Sequence, residues 1–346
     1  MSIGLKKRWC VLAGMAAAVI ACVHGASHAT PAQSPAAAAQ PAEPATVSVG
    51  MYLSDVPSVD LREGLFAFDG YLWLRWDPSK FQLTGESDPG SPLPRCPADT
   101  YEVMGVHELS TEKVSSRPGY AAFRVQGKVR QAFELERFPL DEHVLAIRIQ
   151  DSESEAHKVQ LIPDGDGTVA REMMVHGWIP GTLTVEATTD EFSTNFGDPQ
   201  IPTGNKSVYS CITFQMPLRH DGWPYFFKLM AALFIATLLS MLAFLIRPVN
   251  VDPRFGLPIG ALFAAVANNW VVSAALPDRS GLTLADWLHI VAYVSIFMTI
   301  LLSIRSLKIF ESGDEDGARR FDRRCLAWMP LAYIASSVIL VILYRG

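Results

Sequence analysis

Apolar and polar positions divide this chain into two parts. In the last third, Leu229–Ile246, Phe255–Leu276, Trp287–Ile304 and Leu326–Tyr344 each run at least 18 residues without an Asp, Glu, Lys or Arg. At about 1.5 Å per residue, about 20 such residues cross a hydrocarbon layer roughly 30 Å thick. A helix is expected for each, because a lone segment in lipid must satisfy its own backbone groups. Upstream, the period falls to two. In Phe68–Trp76, Tyr71, Trp73 and Arg75 share one face and Leu72, Leu74 and Trp76 the other. Gly119–Gln131, Val144–Ile149, Thr182–Ala187 and Ser207–Met216 read as further strands. Turn signals separate them: Asp88-Pro89-Gly90, Pro163-Asp164-Gly165-Asp166-Gly167 and Gly197-Asp198-Pro199. Short strands at this spacing predict an immunoglobulin-like β-sandwich over residues 47–222, followed by a transmembrane four-helix bundle over 223–346.

The first residues read as an export signal. Lys6, Lys7 and Arg8 precede the apolar Val11–Val23, and Gly25-Ala26-Ser27-His28-Ala29 offers small residues for cleavage after Ala29. A second reading takes Val19-Ile20-Ala21-Cys22 as a lipoprotein box with Cys22 lipidated. Residues 30–46 are rich in Pro and Ala and are expected to be a disordered linker. Basic residues then fix the orientation. Arg247 and Arg254 flank the first turnaround, and Arg305, Lys308, Arg319, Arg320, Arg323 and Arg324 fill a 305–324 loop. The other side has only Arg279 and Arg345 near the helix ends. The positive-inside rule therefore agrees with the export signal and keeps the β domain outside the cytoplasm.

Composition removes some function classes. The net charge is −6, so nucleic acid is not an expected partner. No nucleophile elbow, phosphate loop, zinc spacing or cofactor fingerprint occurs, so neither an enzyme nor a cofactor is expected. Cys96 and Cys211 share the exported domain and are either a disulfide or two separate thiols. Asp164-Gly165-Asp166-Gly167 lacks the remaining acidic ligands of a calcium loop and reads as a turn. Glu153, Glu155 and His157 offer at most a weak divalent-cation site, against a solvated loop.

One run carries more information. Phe138-Pro139-Leu140-Asp141, followed by Val144-Leu145-Ala146-Ile147-Arg148-Ile149 and Asp151-Ser152, resembles the Phe-Pro-Phe-Asp loop of pentameric ligand-gated ion channels, the Cys-loop receptor superfamily. The flanking cysteines of animal members are replaced by Gln131 and Leu145, as in bacterial members. Trp76-Asp77 after a long strand, Arg219 and Trp223-Pro224-Tyr225 before the first membrane helix, and Leu276-Pro277 after the second agree in order along residues 47–346.

The resemblance implies a homopentamer in a lipid bilayer, opened by an unidentified small-molecule or ion ligand bound between neighbouring exported domains. The second membrane helix would line a pore with Asp252, Gly256, Gly260, Phe263, Ala267, Trp270 and Ala274. These recur at i, i+3, i+4 spacing and so form one helical face. Asp252 at the cytoplasmic mouth would favour cations, because a carboxylate ring concentrates them. Phe138, Pro139, Asp141, Arg219 and Pro277 would carry ligand-domain movement to the pore. Tyr71, Trp73, Trp178, Phe192 and Phe196 are the candidates for an aromatic ligand box, which suits a cation through cation–π attraction. Asn195–Lys206 would be the loop that caps it.

This pore face departs from the family, which usually carries Ser or Thr where this chain has Gly, Gly and Phe. Rings of Phe263 and Trp270 would exclude water unless they widen. The alternative is therefore a non-conducting receptor of the same fold that signals through partners or the 305–324 loop; a third is a monomeric membrane-anchored sensor. Off the axis, Asn268 and Asn269 would hydrogen-bond neighbouring helices. Asp286 and His289, one turn apart, read either as a proton-sensing pair or as a helix cap beside a packed His.

Overall fold

The structure is a computed structural model that describes residues 43–165, 168–169, 173–194, 206–220, 222–277 and 281–345. The export signal, most of the linker, Asn195–Asn205 with Phe196, the Asp166-Gly167 pair and Arg279 lie outside the described residues.

The polar part folds into strands β1 (Ala45–Asp60), β2 (Leu65–Trp76), β3 (Tyr101–Val103), β4 (Val106–Arg117), β5 (Tyr120–Arg130), β6 (Glu142–Asp151), β7 (Val159–Pro163), β8 (Thr168–Val169), β9 (Trp178–Pro180), β10 (Thr184–Phe192) and β11 (Ser207–His220). One short helix, α1 (Pro97–Thr100), precedes β3. The strands make a six-stranded sheet, ordered β4-β5-β2-β1-β7 with β8 also on β1, and a five-stranded sheet, ordered β10-β11-β6-β3 with β9 also on β11. Alternation decides which residues go inside. Leu72 and Leu74 of β2 are buried while Tyr71 faces out, as the period-two pattern predicts. Val47, Val49, Met51, Ile147, Ile149, Ile212 and Phe214, from both sheets, join in one core. The linker is shorter than its composition suggests, because Ala45 and Thr46 already pair with Val159 and Gln160. Cys96 and Cys211 are buried free thiols, which settles that choice.

The apolar part forms four helices: α2 (Gly222–Met241, extended by a 3₁₀ turn to Leu245), α3 (Val251–Ser273), α4 (Leu284–Glu311) and α5 (Glu315–Arg345). All four are long and apolar enough to cross a membrane. The chain is thus a multi-pass membrane protein in which a two-sheet β domain precedes four spanning helices. Each helix begins or ends beyond its charge-free stretch, because helical hydrogen bonding continues past the apolar core. The consequence is largest between α4 and α5. The 305–324 segment, read above as a loop, is helical except at Ser312–Asp314, where Gly313 supplies a φ of +91°.

Small and hydroxyl-bearing side chains let these helices approach closely. The buried stripe of α4 runs Ala285, Leu288, Ala292, Ile296, Thr299, Ser303 and Ser306 at three- and four-residue steps. Without a hydrophobic drive in lipid, such stripes supply van der Waals contact. One charged pair is also enclosed. Arg254 of α3 turns away from the outer face and is fully buried. Its guanidinium donates to both carboxylate oxygens of Asp322 on α5, at 3.0 and 2.7 Å, and to the Ile246 carbonyl at 2.5 Å. Removing one partner strands the other charge in a buried site, at a cost of about 3–5 kcal/mol. We expect Asp322→Ala to lower the thermal unfolding midpoint of the detergent-solubilised protein sharply, and Arg254→Met with Asp322→Leu to recover most of the loss. A double variant as unstable as the single one would show that the charges themselves, not their pairing, hold the helices.

Candidate functional site

The site of interest lies where the β domain meets the helices. β11 leads through Asp221 into α2, and Gly222 adopts a φ of +49° at the corner. A second connection is non-covalent. The loop after β5 carries Leu135 and Phe138, each 1% exposed, into the core of the helical part rather than that of the sheets. There they join Phe226 of α2, Leu276 after α3, and Leu284, Ala285 and Leu288 of α4. The peptide between Phe138 and Pro139 is cis.

The loop also closes the start of α4. The first N–H groups of any helix have no partner within it. In α4, the N–H of Leu284 donates to the Glu136 carbonyl at 2.8 Å, and that of Ala285 to the Phe138 carbonyl at 3.2 Å. Thr283 and Asp286 form a capping box that satisfies the neighbouring groups. Asp286 is thus a helix cap. His289 is packed inside: its Nδ1 lies 2.8 Å from the Ala285 carbonyl and its Nε2 3.1 Å from Asn268 Oδ1 on α3. Asn268 in turn donates to the Leu229 carbonyl of α2 at 3.0 Å, so one off-face Asn links three helices. Asn269 Oδ1 is buried with no partner among the described residues.

Behind Phe138 stands a polar group that the sequence reading only half anticipated. Asp141, 2% exposed, faces His143 Nε2 at 2.6 Å through Oδ2 and His220 Nε2 at 3.6 Å through Oδ1. Arg219, the candidate cation from β11, is exposed and projects the other way. The reason is strand parity: Met216, Leu218 and His220 point inward, so Arg219 between them points out. The His220 ring is stacked between Trp178 of β9, at 3.7 Å between centroids, and Tyr225 of α2, at 4.2 Å. Its Nδ1 lies 3.2 Å from the Gly177 carbonyl. Burial pushes the His220 imidazole below its usual range, against the pull of the Asp141 carboxylate. Beside the group opens a cavity of about 640 Å³ lined by Glu134, Glu136, Arg137, Glu142, Arg219 and Trp223 among others.

The aromatic candidates are not gathered in one place on the chain. Trp178 belongs to the junction. Tyr71 and Trp73 lie on the outer face of the six-stranded sheet, with Tyr52 directly opposite Tyr71. Trp73 is held flat: its Nε1 donates to Asp164 Oδ2 at 2.6 Å, and its ring covers Gly50, where a Cβ would collide with it. Asp164, which also pairs with Arg75, thus serves the sheet. Phe192 sits on the other sheet at the end of β10 remote from the helices, edge-on to Tyr209 at 5.8 Å. Glu153 pairs with Arg95, and Glu155 lies 3.3 Å from His157.

On α3, Arg254, Pro258, Ala261, Ala265 and Val272 face the other helices. Asp252, Gly256, Gly260, Phe263, Ala267, Trp270 and Ala274 are all exposed in the protomer, Phe263 at 71% and Trp270 at 78%. Pro277 follows the turn that ends the helix. Comparison with models of known protein families and with curated protein sequences finds no match to this chain.

Truncating the buried Phe138 ring removes its packing against the helices, and Phe→Ala in a core costs about 3–5 kcal/mol. We expect Phe138→Ala to speed amide exchange at Leu284 and Ala285 while the β2–β5 pairing keeps its protection. Equal loss in both places would mean the loop stabilises the whole protein and not the junction.

Proposed function

We propose that the chain is a subunit of a homopentameric ligand-gated ion channel of a bacterial inner membrane, with its β domain in the periplasm. The two-sheet domain is then the immunoglobulin-like ligand-binding module, and α3 lines a cation-preferring pore. The observation that carries this reading is the docked 131–141 loop. Its carbonyls cap α4 and its Phe138 sits beside Leu276 and Leu284, at both ends of the α3–α4 connection. A displacement of the β domain would therefore reach the start of α4 through hydrogen bonds and the end of α3 through the shared apolar cluster. The broad uncovered face of α3 supports the same reading, because a spanning helix with Asp252 and glycines on its open side needs either water or further copies against it.

The ligand remains a small molecule or ion taken between subunits. Tyr71 and Trp73 on one sheet and Phe192 on the other suit opposite sides of such an interface, since one protomer keeps them apart. The exposed Phe263 and Trp270 favour one alternative, a non-conducting receptor whose α3 helices seal the axis and whose signal leaves through partners.

Reconstitution in liposomes decides between them. A channel gives discrete currents under some condition of pH, divalent cation or small amine, and Asp252→Ala lowers its cation-over-anion permeability several-fold. A pentamer by native mass spectrometry that stays silent, even as Phe263→Ala, is the sealed receptor. A monomer discards both.

A further inference from the structure

Two buried polar atoms at the junction face each other without a hydrogen bond. Asp141 Oδ1 and His220 Nε2, on side chains 2% and 6% exposed, lie 3.6 Å apart, and neither has another partner among the described residues. Their surroundings fix the proton positions. The Gly177 carbonyl can only accept, so His220 Nδ1 carries the hydrogen. In neutral His220, Nε2 then holds a lone pair aimed at a carboxylate lone pair. The other oxygen of Asp141 is already used by His143 Nε2 at 2.6 Å. The missing element is one proton.

We propose that His220 and Asp141 form a proton switch: protonation of His220 turns the open contact into a charge-assisted hydrogen bond that draws the Phe138 loop toward β11 and α2. Charge-assisted bonds of this kind close to about 2.7–2.9 Å, so the loop and the strand end move together by under an ångström. The imidazolium would lie between two aromatic faces, Trp178 and Tyr225, which stabilise a cation. The loop that carries Asp141 also supplies the Glu136 and Phe138 carbonyls that cap α4, so the movement reaches the start of α4. Other charged groups bear on His220. His143 opposes a second positive charge from β6, Tyr225 is neutral, and Glu134, Glu136, Arg137, Glu142 and Arg219 line the adjoining cavity.

The sign follows from burial. With the folded imidazole below its usual range, the folded protein binds fewer protons than the unfolded chain just below pH about 6.5. Neutral His220 contributes stability above that pH, and the contribution is lost as pH falls through the window. The switch therefore works under acid, not near neutrality.

Whether or not the chain conducts, tryptophan emission of the full-length protein in nanodiscs reads the switch. Imidazolium quenches a stacked indole, so Trp178 emission is expected to fall with a midpoint below pH 6.5. The fall is absent in His220→Phe, which keeps the stack but takes no proton, and in Trp178→Phe. Asp141→Asn moves the midpoint down by about one pH unit or more. A quench that survives in His220→Phe, or a wild-type protein with no transition between pH 8 and 4, overturns the proposal. If His220→Phe does not fold, His220→Gln gives the same test, and wild-type amide exchange at Leu284 and Ala285 across the same pH range supplies a variant-free one. Unchanged exchange there rejects the coupling to α4. Currents are not needed for either readout, so a silent pore and a failed switch are distinguishable.

Discussion

The backbone hydrogen bonds from Leu284 and Ala285 to the 131–141 loop are the constraint on which the rest depends. A helix that begins at the edge of a membrane must find acceptors for its first N–H groups. The capping box of Thr283 and Asp286 serves part of that need within α4. The remainder is met by carbonyls of another domain, at Glu136 and Phe138. Losing those acceptors in a buried place costs about 1–3 kcal/mol for each unpaired group. The loop is therefore held by the helix and the helix by the loop. Phe138 adds an apolar anchor and Asp141 a charged one, on opposite sides of Pro139.

The polar contacts inside the helical part share a second feature: they lie on one side of α3. Arg254 ties its first turns to α5 through Asp322, and Asn268 ties its second half to α2 and α4. Between these points the inward residues are Ala261 and Ala265, which permit close approach without adding bonds. An unpaired polar group is costly in lipid, so both ties resist separation of the helices. Neither tie resists bending or small rotation of the middle of α3. The outer face of the helix makes no comparable commitment. This helix is tied to its neighbours by polar bonds at two heights and by close packing of small side chains between them.

Much of this was legible in the sequence, and the parts that were not have physical causes. Charge-free runs mark spanning helices because lipid penalises charge wherever it falls, so the four spans needed no tertiary information. The alternation of Tyr71, Leu72, Trp73 and Leu74 likewise follows from the strand itself. The Phe138-Pro139-Leu140-Asp141 run stood out through its resemblance to the Phe-Pro-Phe-Asp loop, because neither periodicity nor spacing separates such a run from an ordinary turn. His220 was missed although strand parity could have found it: Leu218 is inward, so its second neighbour is too. The stacking of Trp178 on His220 had no sequence signal, because an aromatic looks the same whatever it meets. The pairing of Arg254 with Asp322 spans 68 residues and had no local signal. The helical character of the 305–324 segment was hidden because charge density resembles a loop, whereas a spanning helix can run on into water with charged turns.

The bulky residues of α3 bear on what such a helix can do. Phe263 and Trp270 stand seven residues apart, close to two turns, so they lie on nearly the same line of the helix. Small residues lie near them on the helix: Ala264 beside Phe263, Ala267 between them, and Gly260 one turn earlier. Each residue step turns the face by about 100°, so a rotation well short of one step already moves an aromatic ring off the line and brings alanine toward it. A helix with uniformly large side chains would gain little bore by turning. One with aromatic rings alternating with Gly and Ala gains much from a small turn. In the proposed pore, the same pattern would seal the axis in one rotational state and widen it in another, and the Asn268 bonds to α2 and α4 would oppose the turn.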